Sequence, residues 1–124
     1  MSVAGNYHGG LEVTQPVLLT TTNLTDIVEG YDRFSTVASW AITNTKTGTV
    51  HADIFLYDGT TDWEVYCCSI GSHQTIIVSD LPLRLRDGMK MKAQADTANQ
   101  IVIVPVVIRT HANEPVTNWS RVNR

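Results

Sequence analysis

The chain has 124 residues, 43% of them apolar, which suits one domain with a real core. Nine Lys and Arg against twelve Asp and Glu leave a net charge of −3, so overall electrostatics argue against strong binding to nucleic acid or an anionic membrane. The longest apolar run, Ile101 to Ile108, is far too short for a membrane span, and the N-terminal MSVAGNYHGG lacks the basic start and apolar stretch of a secretory signal.

Residues 1–10 are small, polar and Gly-rich and read as a flexible arm. Period-two patterns follow. "LEVTQPVLLTTT" and "TDIVEG" are weak strand candidates. "FSTVASWAITNT" predicts a strand with Phe34, Thr36, Ala38, Trp40 and Ile42 on one face. "TVHADIFLYDG" places Val50, Ala52, Ile54 and Leu56 on one face and His51, Asp53, Phe55 and Tyr57 on the other. "DWEVYCCSIG", "HQTIIVSDL", "LPLRL", "MKMKAQA" and "QIVIVPVVIRT" complete the series. Turn residues punctuate it at 44–48, 58–59, 71–72, 87–88 and 96–99. Seven to nine short strands at spacings of about 8–12 residues predict an all-β, antiparallel β-sandwich, jelly-roll or Ig-like, with almost no helix. The domain is expected at 11–110. Residues 111–124, polar but for Pro115, Trp119 and a few small apolar residues, read as a tail leaving it. Trp119 packs either back on its own domain or on a neighbouring subunit.

The stretch 82–95 carries a comb of positive charges: Arg84, Arg86, Lys90 and Lys92. A three-residue hairpin loop, Arg86-Asp87-Gly88, sorts the faces cleanly, with Gly88 in the left-handed position. Leu85 then opposes Met89, and Arg84 opposes Lys90. Leu83, Leu85, Met89, Met91, Ala93 and Ala95 face the core. The like-charged Arg84–Lys90 pair is mildly destabilising unless acids nearby in space neutralise it. The comb reads as a solvated face or a contact to an acidic protein neighbour. Nucleic acid is disfavoured, because no aromatic ladder interleaves the charges. Residues 101–108 are apolar on both faces, as in a central strand covered on both sides. Pro105 in the middle calls for an edge or a bulge, and a partner subunit is the natural cover for the second face.

Chemistry-bearing motifs are absent from the sequence. His8, His51, His73 and His111 lie outside recognised metal-ligand spacings, and no nucleophile elbow, phosphate loop or paired-carboxylate motif is present. His51 and Asp53 share a strand face and read as a solvated pair. The adjacent Cys67 and Cys68 point to opposite faces of a strand and are expected as free thiols, in keeping with a reducing compartment. No metal, cofactor or enzymatic role is expected. Tyr57, Trp63 and Tyr66 around Asp58-Gly59 offer a sugar-stacking patch as the alternative to a core or interface role.

"ASWAITNTKTGTVHADIFLYDG" and "IGSHQTIIVSDLPLRLRDGMKMKAQADTANQIVIVPVVIRT" together resemble small β-sandwich virion proteins of tailed bacteriophages. The shared features are a strand ending in Asn-Thr, an "LPLxLxxG" segment, and an Ala-Asn turn before a Val/Ile-rich strand. They cover residues 36–110, about three-fifths of the chain. Arg109-Thr110 replaces the more usual acidic finish, and Pro105 is also a departure. The resemblance implies a non-enzymatic virion structural protein, a capsid decoration (cement) protein or a head–neck or tail accessory subunit. It would be made in the host cytoplasm and assembled as a homo-oligomer, with a trimer favoured. Its partners would be the major capsid protein or other virion subunits, with no membrane, and nucleic acid stays disfavoured on the charge pattern. The expected interface residues are Arg84, Lys90, Lys92, Pro105, Trp119, Arg121 and Arg124. A carbohydrate-binding adhesion module of a tail or fibre is the alternative.

Overall fold

The computed structural model describes residues 10–30 and 35–110. Residues 1–9 of the arm expected at 1–10, the tail at 111–124 with Trp119, Arg121 and Arg124, and also Phe34 lie outside the described residues, while Gly10 opens a strand.

Among the described residues ten strands follow in chain order: β1 (Gly10–Thr14), β2 (Val17–Leu18), β3 (Thr25–Glu29), β4 (Ser35–Asn44), β5 (Val50–Tyr57), β6 (Asp62–Ile70), β7 (Thr75–Val78), β8 (Leu83–Leu85), β9 (Lys90–Ala95) and β10 (Ile101–Thr110). No helix occurs among the described residues. All pairings are antiparallel. The first sheet runs β1-β10-β4-β7, with β2 also pairing β10 and β8 also pairing β4; the second runs β3-β9-β5-β6. β1 and β2 are two segments of one edge, and β7 and β8 two segments of the opposite edge. Merging each pair leaves two four-stranded sheets whose connections repeatedly cross between them. In that merged numbering the orders are 1-8-3-6 and 2-7-4-5, the arrangement of a jelly roll. The all-β sandwich expected from the sequence is what forms.

The core lies between the sheets. Trp40, Ile42, Ile54, Ile70, Leu85, Met91, Ile101 and Ile103 are all buried there. Three bulges set which residues reach it. On β4, Ser39 pairs Val106 while Val37 pairs Val107, so Ala38 is the extra residue. One extra residue reverses the alternation. The inward set is therefore Ser35, Val37, Trp40, Ile42 and Asn44. The expected common face of Thr36 and Ala38 with Trp40 is corrected accordingly. The other bulges place Ile27 on β3 and Val65 on β6 out of register.

The expected hairpin over 82–95 is also overturned. β8 pairs β4 in the first sheet, whereas β9 pairs β3 and β5 in the second. The turn itself forms: Met89 N donates to Arg86 O at 3.0 Å, and Gly88 has φ 89°. A left-handed third residue makes this a type II turn that carries the chain between sheets. Arg84 and Lys90 are therefore not a cross-strand pair. The core-facing assignment survives, because Leu83, Leu85, Met91, Ala93 and Ala95 are buried. Gly30 braces this corner. Its N–H donates to Met89 O at 2.9 Å, and a Cβ there would overlap the Arg86 carbonyl.

Buried Asn44 organises the opposite end of the sandwich. Its Nδ2 donates to Gly48 O at 2.6 Å and Ile70 O at 3.2 Å, and its Oδ1 accepts from Lys46 N at 3.2 Å. Thr45 ties the same turn to β10 by donating N–H and Oγ1–H to Gln100 O, at 2.8 and 2.9 Å. Replacing Asn44 with Ala strands the buried Ile70 carbonyl, at about 1–3 kcal/mol for the group left unpaired. Asn44→Ala is expected to lower unfolding free energy by at least that amount in urea titration, with m unchanged.

Candidate functional site

The two outer faces of the sandwich differ sharply. The outer face of the second sheet carries charge. Phe55 opposes Lys92 and Tyr57 opposes Lys90, with Asp62 and Glu64 across β5 on β6. Lys90 Nζ lies 3.1 Å from Asp26 Oδ2, which raises the lysine pKa, and Lys92 Nζ lies 3.1 Å from Asp62 Oδ1. Lys92 also sits 4.2 Å from the centroid of the Tyr57 ring, a cation–π contact. The comb seen in the sequence is thus divided. Lys90 and Lys92 are paired to acids of their own domain, while Arg84 projects from β8 on the outer side of the first sheet.

A second cluster lies further along β5. Asp53 and Cys67 are register partners, and His51 faces Ser69. His51 Nε2 is 3.0 Å from Asp53 Oδ1, an oxygen that is shut off from solvent. Ligand atoms of Asp53, Glu64 and Cys67 all lie within 4.8 Å of one another. The Val65 bulge creates this grouping. In regular register Val65 would oppose Phe55 and Glu64 would point inward; the bulge instead sets Glu64 opposite Phe55 on the outer face. The Glu64 carboxyl is raised above its ordinary range by hydrogen bonding to Asp53 and then by the Asp53 charge. Cys68 points the other way, half-buried against the core, and that burial raises its thiol pKa. Both cysteines are free thiols, as expected. Glu64 and Cys67 were not legible as partners of His51 and Asp53.

The three aromatics of the sugar-stacking alternative do not form one platform. Tyr57 is on the outer face, its hydroxyl donating to Gly59 O at 2.8 Å. Tyr66 packs against the core, edge-on to Trp40 with ring centroids 6.2 Å apart. Trp63 is exposed at the end of the sandwich, and its Nε1 donates to Asp58 Oδ2 at 2.8 Å.

The outer face of the first sheet carries an apolar stripe along β10 and the parts of β2, β4 and β7 beside it, with Arg84 on β8 away from that stripe. Val102, Val104, Val106 and Ile108 of β10 face outward and are only half-buried. Leu18 opposes Val102, while Ala41 lies between Val104 and Ile77. Leu18 is 43% exposed and Ile77 72%. Pro105 itself is buried on the inner side, opposite Trp40.

No protein-family model matches the chain, and no curated protein matches its sequence. Among solved structures the chain is similar to a pentameric capsid protein isolated from metagenomic phage sequences. The identity is 19% and the TM-score 0.48, over 88% of this chain and 68% of that one. A pentameric capsid protein from metagenomic phage sequences solved by iodide SAD phasing gives 19% and 0.47, over 85% and 74%. The CBM22-1–GH10 modules of Clostridium thermocellum xylanase 10B, complexed with xylohexaose, give 10% and 0.41, over 86% of this chain and 27% of that one. The fold of this protein is defined by its own strand order and not by these distant similarities.

The Asp58 turn yields a pH test. Its carboxylate accepts from the Trp63 indole and from the Thr60 and Thr61 N–H groups, which together hold its pKa far below the ordinary carboxylate range. A depressed folded-state pKa contributes stability above the unfolded value and loses it as pH falls toward the folded one. Asp58→Ala is therefore expected to melt below the wild type at neutral pH, with the gap narrowing below about pH 4.

Proposed function

We propose that the protein is a non-enzymatic structural subunit of a bacteriophage virion, a capsid decoration protein or a head–neck or tail accessory subunit. It packs as a homo-oligomer through the outer face of its first sheet and is made in the host cytoplasm before joining the particle. The phage assignment is supported by the resemblance over residues 36–110. The structural observation that carries the packing role is the apolar stripe of Leu18, Val102, Val104, Val106, Ala41 and Ile77.

Size supports a second copy as its occupant. A four-stranded face with ten-residue central strands covers about 600 Å². A standard interface takes about 800 Å² per partner. Terminal segments can supply the difference. Residues 111–124 continue from β10, and Trp119 is their largest apolar side chain, worth about 2–3 kcal/mol when buried. In this reading Trp119 anchors the tail on a neighbouring copy or on the shell, with Arg121 and Arg124 at the rim, and the major capsid protein or another virion subunit is the further partner.

Native mass measurement tests this. The wild type is expected as a closed oligomer, and the mass distinguishes a trimer from any other ring. Ile77→Asp combined with Val104→Asp is expected to give a monomer with an unchanged circular dichroism spectrum. Trp119→Ala and removal of 111–124 are expected to weaken the oligomer or its binding to particles without unfolding the sandwich. A wild type that stays monomeric at high concentration and ignores particles sinks the proposal.

A further inference from the structure

We propose that Asp53, Glu64 and Cys67, with His51 beside Asp53, form a binding site for a divalent transition-metal ion of the zinc class on the outer face of the second sheet. The donors come from two paired strands and are already grouped, with one ligand atom from each of the three within 4.8 Å of the others. Tetrahedral zinc with oxygen and sulfur ligands at about 2.0–2.3 Å needs donor separations of about 3.3–3.8 Å. Small side-chain rotations close that difference. The set mixes a thiol, two carboxylates and an imidazole. Such a set favours zinc, or cobalt as its stand-in, over magnesium or calcium, which select oxygen alone.

The make-up of the cluster points to a cation. Asp53 Oδ1 is shut off from solvent, and the groups around it are the His51 ring, 3.0 Å away, and the Glu64 carboxyl, both metal-ligand types. Two carboxylates brought this close need a proton or a cation between them. The two lysines of this face do not supply it in the structure, since Lys90 lies against Asp26 and Lys92 against Asp62. The Val65 bulge is what turns Glu64 to this face, and bulges re-aim side chains in this way. A bound ion would tie the edge strand β6 to β5. His51 serves either as the fourth ligand or as the group that orients Asp53.

The site lies on the opposite face from the packing stripe and does not depend on the virion reading. The full-length chain, stripped with chelator and kept reduced, is titrated with Co²⁺ and followed for a thiolate–cobalt charge-transfer band. One equivalent is expected to saturate the band, and Zn²⁺ to displace cobalt while Mg²⁺ and Ca²⁺ do not. Cys67→Ser should abolish the band, Cys68→Ser should keep it, and Glu64→Gln should weaken binding tenfold or more. As a readout needing no variant, Zn²⁺ should protect Cys67 of the wild type from alkylation. Oligomer mass should not change with metal. Absence of the band at micromolar protein and equimolar cobalt overturns the proposal. So does a band that survives Cys67→Ser, or Cys67 alkylation at an unchanged rate in zinc.

Discussion

The structure depends on the pairing of β4 with β10. These are the two ten-residue strands, matched from Ile101–Asn44 to Arg109–Ser35. Together they form the spine of the first sheet, and each outer edge of that spine is served by two short segments rather than one long strand. The interruption between β1 and β2 falls at Gln15-Pro16, across from residues 104–105 of β10. Pro105 has no N–H to give, so a place opposite a gap in the edge, next to the bulge at Ala38, is where a central strand can hold it. Its ring faces inward, which leaves the outward positions of β10 to valine and isoleucine.

Much of this was written in the sequence because period-two alternation and turn residues are local signals. β5 reads correctly end to end, since its inner and outer residues alternate without interruption. The jelly-roll or Ig-like class also followed from strand spacing and turn placement. What failed were features decided by partners far away in sequence. The Ala38 bulge is invisible in "STVASWAI", because Thr, Val, Ala and Ser suit either face. The Arg86–Gly88 turn was recognisable from Gly88, and its neighbours sort by face as expected. Whether the flanking strands pair with each other or part to different sheets is set by β3, β4 and β5, and nothing in the turn encodes it.

The cluster around Asp53 was hidden for the same reason. His51 and Asp53 are two apart and share a strand face, so they could be seen as a pair. Glu64 is eleven residues beyond Asp53 and reaches its side only because β6 carries an extra residue at Val65. By strict alternation from Cys67, Glu64 belongs to the inner face, which is an unsuitable place for a carboxylate. That conflict in "WEVYCC" was the available signal: an acid at an inward position of an otherwise regular strand marks a bulge.

The division of labour between the two outer faces follows from desolvation. The second sheet presents ion pairs, Lys90 with Asp26 and Lys92 with Asp62, that satisfy one another in water. Covering them with a partner would strip hydration from four charges, a cost that their mutual attraction does not dependably offset. Away from Arg84 on β8, the middle of the first sheet presents valine, isoleucine, alanine and threonine, with the Thr43 and Thr75 hydroxyls hydrogen-bonded to each other at 2.8 Å. Its apolar area gains about 25 cal/mol per Å² when removed from water. A sheet face of β-branched side chains, which lose little rotamer freedom when covered, is well suited to repeated contacts of one kind. The same sequence thus builds one face that is stable when wet and one that is stabilised by being covered. The second of these is carried by β4 and β10, the two strands on which the fold itself depends.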